Sequence, residues 1–177
     1  SERSISSGLI IASTAVPSNA FDHVTMNASD EYVTPGTSTE VTVAGVSSSG
    51  SAADIPGDLT YTVTNGTYAN GVLTAGEAGD VVLTAVHGGR EVGSLTIHAV
   101  IPESLAFVSP TITVPYGKTI AFDIKAIYGL NNVKFKADDI VFGLSDAGVG
   151  TVDGLNFIAG DGTVSTSEVT ATFIGTD

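Results

Sequence analysis

The chain has 177 residues, with 6 basic side chains against 19 acidic ones for a formal net charge of -13, and it contains neither cysteine nor tryptophan. Phosphate contacts need lysine and arginine, so this balance excludes a nucleic-acid partner, and zero cysteines exclude disulfides. No run approaches the roughly 18 to 20 apolar residues of a membrane helix, so no membrane insertion is expected.

The first element in chain order is Arg3 to Val16. Ile5, Leu9, Ile10, Ile11 and Val16 form an apolar stretch that ends at Val16-Pro17-Ser18-Asn19, which predicts a strand followed by a linker. Leu9-Ile10-Ile11 is continuously apolar, the pattern of a strand buried on both faces. Nothing later in the chain repeats it, so residues 1–20 read as an extended strand and linker left from a preceding domain. Such a strand is expected to add to an exposed sheet edge, either of the module that follows or of a neighbouring molecule as a strand-mediated dimer.

A first module is predicted over residues 21–100. Val24 to Asn27, Thr39 to Val43 and Leu59 to Val63 each alternate apolar with polar, which turns every second residue inward. Turn dipeptides separate them at Pro35-Gly36, Pro56-Gly57, Asn65-Gly66, Asn70-Gly71 and Gly79-Asp80. Val81 to Val86 and Gly93 to Val100 flank His87-Gly88-Gly89-Arg90 as a closing hairpin. A second module is predicted over residues 101–177, with strands at Leu105–Val108, Ile120–Ala126, Ile140–Leu144 and Val169–Ile174. It starts at Ile101-Pro102 with no free linker, so the two cores are expected to touch and form a stiff rod. Module one has a whole strand, Leu95 to Val100, beyond the point where module two stops, so module two is expected to lack its last strand or to take one from elsewhere.

The modules are copies of one another. Thr34-Pro35-Gly36-Thr37 has its counterpart in Val114-Pro115-Tyr116-Gly117-Lys118, and Gly66-Thr67-Tyr68-Ala69-Asn70-Gly71-Val72-Leu73-Thr74-Ala75-Gly76 in Gly150-Thr151-Val152-Asp153-Gly154-Leu155-Asn156-Phe157-Ile158-Ala159-Gly160. A period near 80 residues is too long for a solenoid unit and suits a domain with its own core. The fold class expected is therefore all-β, two tandem sandwiches of the immunoglobulin kind preceded by the N-terminal strand.

Residues able to carry chemistry are sparse. His23, His87 and His98 fall in a linker, a hairpin turn and an outward strand position, with no serine or carboxylate at a motif spacing, and read as solvated. Asp138-Asp139, Asp153, Asp161 and Glu168 form an acidic rim on module two. Asp161-Gly162 in a turn can lend oxygens to a structural calcium, although the spacing fits no calcium loop and no cofactor is expected. Tyr116 and Tyr128 near turns, with Asn131 and Asn132 beside the latter, are the candidate sugar contacts, since an exposed ring stacks on a pyranose and an amide binds its hydroxyls. Tyr68 also falls near a turn. The phenylalanines fall mostly on strands and read as core.

Val141 to Gly154, with its "GTVDG" segment, resembles the core of the bacterial immunoglobulin-like group 2 domain, and Val72-Leu73-Thr74-Ala75-Gly76 resembles the last element of that pattern. Tyr61 and Phe142 stand where that family usually has tryptophan. The resemblance covers roughly residues 22–177 and implies a fold more than a function. Glu2-Arg3-Ser4-Ile5-Ser6-Ser7-Gly8-Leu9-Ile10-Ile11 is similar to the strand that ends the catalytic domain of bacterial phosphodiester glycosidases related to N-acetylglucosamine-1-phosphodiester α-N-acetylglucosaminidase. That resemblance implies an upstream catalytic domain on the same polypeptide and carries over none of its catalytic residues.

The function these features support is a non-catalytic, secreted or cell-surface spacer of a larger bacterial protein, such as a phosphodiester glycosidase. Two alternatives belong to other classes: a module that binds cell-wall or other polysaccharide, and an adhesin or surface-layer segment whose open sheet edge accepts a donated strand.

Overall fold

The computed structural model describes residues 1, 3–4, 6–14 and 19–176. It is all-β, its helical content limited to single 3₁₀ turns at Ala137–Asp139 and Ala147–Val149 among the described residues. Module one contains β1 (Phe21–Ala28), β2 (Tyr32–Val33), β3 (Ser38–Ser47), β4 (Thr60–Thr64), β5 (Gly66–Ala69), β6 (Val72–Ala75), β7 (Gly79–His87) and β8 (Arg90–Ala99). They form two sheets, β1-β3-β6-β5 and β2-β8-β7-β4, in which every pairing is antiparallel except β2 on β8. That strand order is the immunoglobulin sandwich. The alternation seen in the residues is what closes it: Val24, Met26, Val41, Leu73, Ala75, Val81, Leu83, Ala85, Val92, Ile97 and Ala99 point inward and are buried.

Module two contains β9 (Ser104–Phe107), β10 (Thr119–Ala121), β11 (Ile124–Tyr128), β12 (Asn131–Val133), β13 (Ile140–Leu144), β14 (Gly150–Asp153), β15 (Asn156–Ala159) and β16 (Val169–Phe173). The expected strand Ile120–Ala126 divides at Phe122-Asp123. Phe122 gives its N–H to Leu155 O and sinks its ring into the core, and this bend sends β10 to β15 and β11 to β9 and β12.

The internal repeat holds to individual hydrogen bonds. Gly36 N–H is shared between Ala75 O and Gly76 O, and Gly117 N–H between Ala159 O and Gly160 O. Both glycines have positive φ, 75° and 70°, a turn conformation that costs a residue with a Cβ. Ala75 N bonds Thr37 O as Ala159 N bonds Lys118 O, and Val41 N bonds Gly71 O as Phe122 N bonds Leu155 O. Tyr61 lies opposite Ala85, and Phe142 opposite Ala171, so the two aromatic rings hold corresponding places in the two modules.

Gly66 and Gly150 are a matched pair with one steric reason. A Cβ on Gly66 meets Thr74 O at 2.4 Å, and one on Gly150 meets Ile158 O at 2.2 Å, backbone atoms that cannot turn aside. Gly66→Ala and Gly150→Ala should therefore each destabilise their own module by about 1–3 kcal/mol, read as a fall in the denaturation midpoint. A shift no larger than that of an exposed-loop alanine would show the hairpins tolerate the methyl.

The leading segment departs from expectation. Among the described residues before Phe21 none joins a sheet, and Leu9, Ile10 and Ile11 are 83, 95 and 80% exposed. The module-one edge beside β8 is closed to it, because β2 already pairs there: Val100 N bonds Val33 O and His98 N bonds Glu31 O. Glu2, Ile5 and Val16-Pro17, parts of the expected strand and linker, lie outside the described residues.

Candidate functional site

The prominent feature of the molecule is the joint between the modules. Val33 forms a parallel bridge with Lys134: Lys134 N donates to Tyr32 O at 2.9 Å and Thr34 N donates to Lys134 O at 2.8 Å. Because β2 also pairs with β8, and β12 with β11, the backbone ladder runs β9-β11-β12-β2-β8-β7-β4 through both modules. The expected contact between the two cores is therefore a shared sheet.

A buried polar cluster backs this bridge. Thr34 Oγ1 donates to Asp139 Oδ2 at 2.7 Å, and its own oxygen lies 2.6 Å from Thr37 Oγ1, which must supply the second proton because Thr34 has only one. Lys136 N donates to the same Asp139 oxygen at 3.1 Å. Thr34, Thr37 and Asp139 are all buried, and among the described residues no buried side-chain polar atom lacks a partner. Asp139 is thus a correction to the acidic rim: the carboxylate read as solvated is 6% exposed and holds module one. Only the fold brings Thr34 to it, since 105 residues separate the two. At the periphery, Lys134 Nζ donates to Ser38 O at 2.7 Å and lies 3.8 Å from Asp30 Oδ2, an exposed ion pair of small energetic weight.

Tyr128 meets module one at the mouth of the joint. Its ring stacks on Tyr32 with centroids 6.2 Å apart, and Tyr32 packs on His98 at 4.9 Å. These three, with Asp80, Gly79 and Ile101, line a cleft of about 500 Å³. His98 Nδ1 lies 2.7 Å from Asp80 Oδ1, and its Nε2 is 3.9 Å from Glu31.

Of the remaining sugar candidates, Asn131 lies beside Tyr128 as its partner across the β11–β12 ladder, while Asn132 and Tyr116 do not join them. Asn131 Nδ2 points back to Tyr128 O at 3.4 Å and closes the β11–β12 turn, while Asn132 pairs with Ile127 in the hairpin and is exposed. Tyr116 is 65% exposed with its ring over Gly162, where a Cβ would fall 2.5 Å from its Cζ. Tyr68 turns inward against Tyr61 at 4.9 Å, and burial raises both phenol pKa values above the usual range. Asp161 accepts from the Thr163 hydroxyl at 2.6 Å and from Thr163 N at 2.9 Å, and the hydroxyl before the amide holds its carboxyl below the ordinary range.

Each histidine does have a carboxylate in space. His23, which lies in β1 and not in a linker, sits 2.8 Å from Asp22, and His87 sits 3.1 Å from Asp58. Sequence spacing could not show the His87 and His98 pairs, because their partners come from elsewhere in the fold, Asp58 from the turn before β4 and Asp80 from β7.

No family model and no curated protein matches the chain. Among solved structures, FdeC, described as a broadly conserved Escherichia coli adhesin, is similar at 17% identity and a TM-score of 0.34, over 85% of this chain. The chain spans 58% of that adhesin chain, a little over half of its length.

Proposed function

We propose that this region is a non-catalytic stalk segment of a secreted or surface-displayed bacterial protein, holding whatever it carries at a set distance and angle. The observation behind this reading is the parallel Val33–Lys134 bridge with the buried Thr34–Asp139 bond beneath it. Tandem modules on an open linker swing freely, whereas a shared ladder and a buried carboxylate resist bending. This reading serves either parent, a phosphodiester glycosidase or a protein with an adhesive tip, because the joint does the same work in both. Spin labels on exposed β5 and β14 positions give the test. A single narrow distance distribution that broadens in the Thr34→Val chain supports the stalk; a broad distribution in the unaltered chain ends it.

The Tyr32–Tyr128 cleft favours one second reading, contact with a polysaccharide strand, since it brings an aromatic pair next to Asp80 and His98. A glycan array with the Tyr128→Ala chain as control decides it. Binding lost with the ring supports a sugar contact; silence across cell-wall and plant polysaccharides removes it.

A further inference from the structure

We propose that Asn70 is a site of covalent self-modification: its side-chain amide is exchanged for a carboxyl, with water as the co-reactant, and the turn between β5 and β6 is rebuilt in the process. Two dipeptides of the chain join asparagine to glycine, Asn65-Gly66 and Asn70-Gly71. That pairing is the most reactive setting for an asparagine, because a glycine nitrogen approaches the preceding side chain with no Cβ in the way. By sequence the two are equivalent, and the fold separates them.

Asn65 is locked. Its Nδ2 donates to Glu77 O at 2.9 Å and to Asp80 O at 3.3 Å, and its Oδ1 accepts from Glu77 N at 3.0 Å. These bonds hold the amide against residues 77–80. The backbone that follows is held as well: Gly66 pairs with Ala75, and a Cβ added to it would meet Thr74 O at 2.4 Å. The carbon and the nitrogen that would have to meet are each fastened to a different neighbour.

Asn70 is exposed, and among the described residues its side-chain amide bonds to nothing. It takes the first place of the two-residue turn that closes Ala69 on Val72, with φ 51° at Asn70 and 76° at Gly71, the type I′ pair of conformations. Gly71 is tied through its oxygen, which accepts from Val41 N at 2.8 Å. Its nitrogen lies outside both strands and donates to no group among the described residues. The counterpart of Asn70 in module two is Gly154, φ 58°, so the turn itself needs only this backbone conformation and no side chain.

The reaction closes a ring and opens it again. The Gly71 nitrogen gives up its proton and bonds to Asn70 Cγ; the Cγ–Nδ2 bond breaks, and Nδ2 leaves with that proton as ammonia. Water then opens the succinimide, its hydroxyl going to one carbonyl carbon and its proton to the nitrogen. Opening at Cγ leaves aspartate, and opening at the backbone carbonyl leaves isoaspartate. No electrons change hands, and either product carries one more negative charge. Isoaspartate also routes the main chain through the former side chain and adds a methylene to a loop whose length sets the hairpin register. The Ala69–Val72 pairing and the Val41–Gly71 bond that ties the hairpin to β3 then lose their alignment. The change does not reverse in water, so its extent records how long the folded chain has stood there.

Peptide mapping by mass spectrometry tests this, after incubation of the full chain in heavy-oxygen water at mildly alkaline pH, both folded and in urea. In the folded chain, label should enter at Asn70 about tenfold or more faster than at Asn65, whose amide must first break its hydrogen bonds. In urea the two should convert at similar rates. Asn70→Gly, which copies module two, should end the formation of more acidic forms at this turn and keep the thermal midpoint. The isoaspartyl form, separated by anion exchange, should melt below the fresh chain. A folded Asn70 that stays intact while the unfolded chain converts would overturn the proposal. So would equal conversion of Asn65 and Asn70 in the folded chain, or an isoaspartyl form with an unchanged midpoint.

Discussion

Phe122→Ala should unfold module two while module one stays folded. The Phe122 ring is 6% exposed and lies at the centre of an aromatic cluster, 4.5 Å from Phe142, 6.0 Å from Phe157 and 6.1 Å from Phe107. Truncating a buried phenylalanine costs about 3–5 kcal/mol, the transfer of the ring plus the cavity it leaves. Module two can ill bear that loss, since the fully buried part of its main cluster is Phe122, Phe157 and Ala159, with the other rings only half-buried. Its counterpart in module one, Val41, is surrounded by a much larger buried set, so Val41→Ala should cost less. Amide NMR spectra of the two variants check this. Collapse of peaks from 104–173 alone in the Phe122 variant is the expected outcome, and retained dispersion there would show that the β16 side, not the phenylalanine cluster, holds module two.

The second large effect lies at the joint. Asp139→Ala removes the acceptor of both the Thr34 hydroxyl and the Lys136 amide. Hydrogen bonds to a charged group are worth about 1.5–3 kcal/mol each, so a loss of about 3 kcal/mol or more is expected. The loss should fall on the coupling of the modules, splitting one thermal transition into two. Thr34→Val leaves the carboxylate buried with one donor fewer, and Thr37 without its acceptor. A double-mutant cycle between positions 34 and 139 should return a coupling of about 1 kcal/mol or more. Additive single changes, with one transition kept throughout, would show that the backbone bridge at Val33 joins the modules without help from the side chains.

These expectations also mark where reading the residues stopped. Asp139 follows Asp138 in a polar loop, where a carboxylate is ordinarily solvated, and nothing near it in the chain announces a buried partner. Tyr128 was legible as an aromatic at a turn, but its stacking on Tyr32 was not, because rings from different modules share no sequence spacing. The short strands β2 and β12 escaped notice for a related reason. Neither has enough residues to show an alternation, and each exists through the partner it pairs with. The leading segment failed in the other direction: Leu9-Ile10-Ile11 has strand chemistry, yet a strand needs a free edge, and the edge beside β8 is held by β2.

What the residues determined alone is what depends on near neighbours. Alternation with a period of two, glycine and asparagine at turns, and two copies of one pattern settle the all-β class, most of the long strands and the repeat, since side-chain direction and turn geometry are local properties. Tertiary structure alone decided the joint, the division of Ile120–Ala126 and the burial of Asp139. Each of these rests on which edges are free and which side chains meet across long stretches of chain, a competition among distant backbone groups that no local pattern encodes.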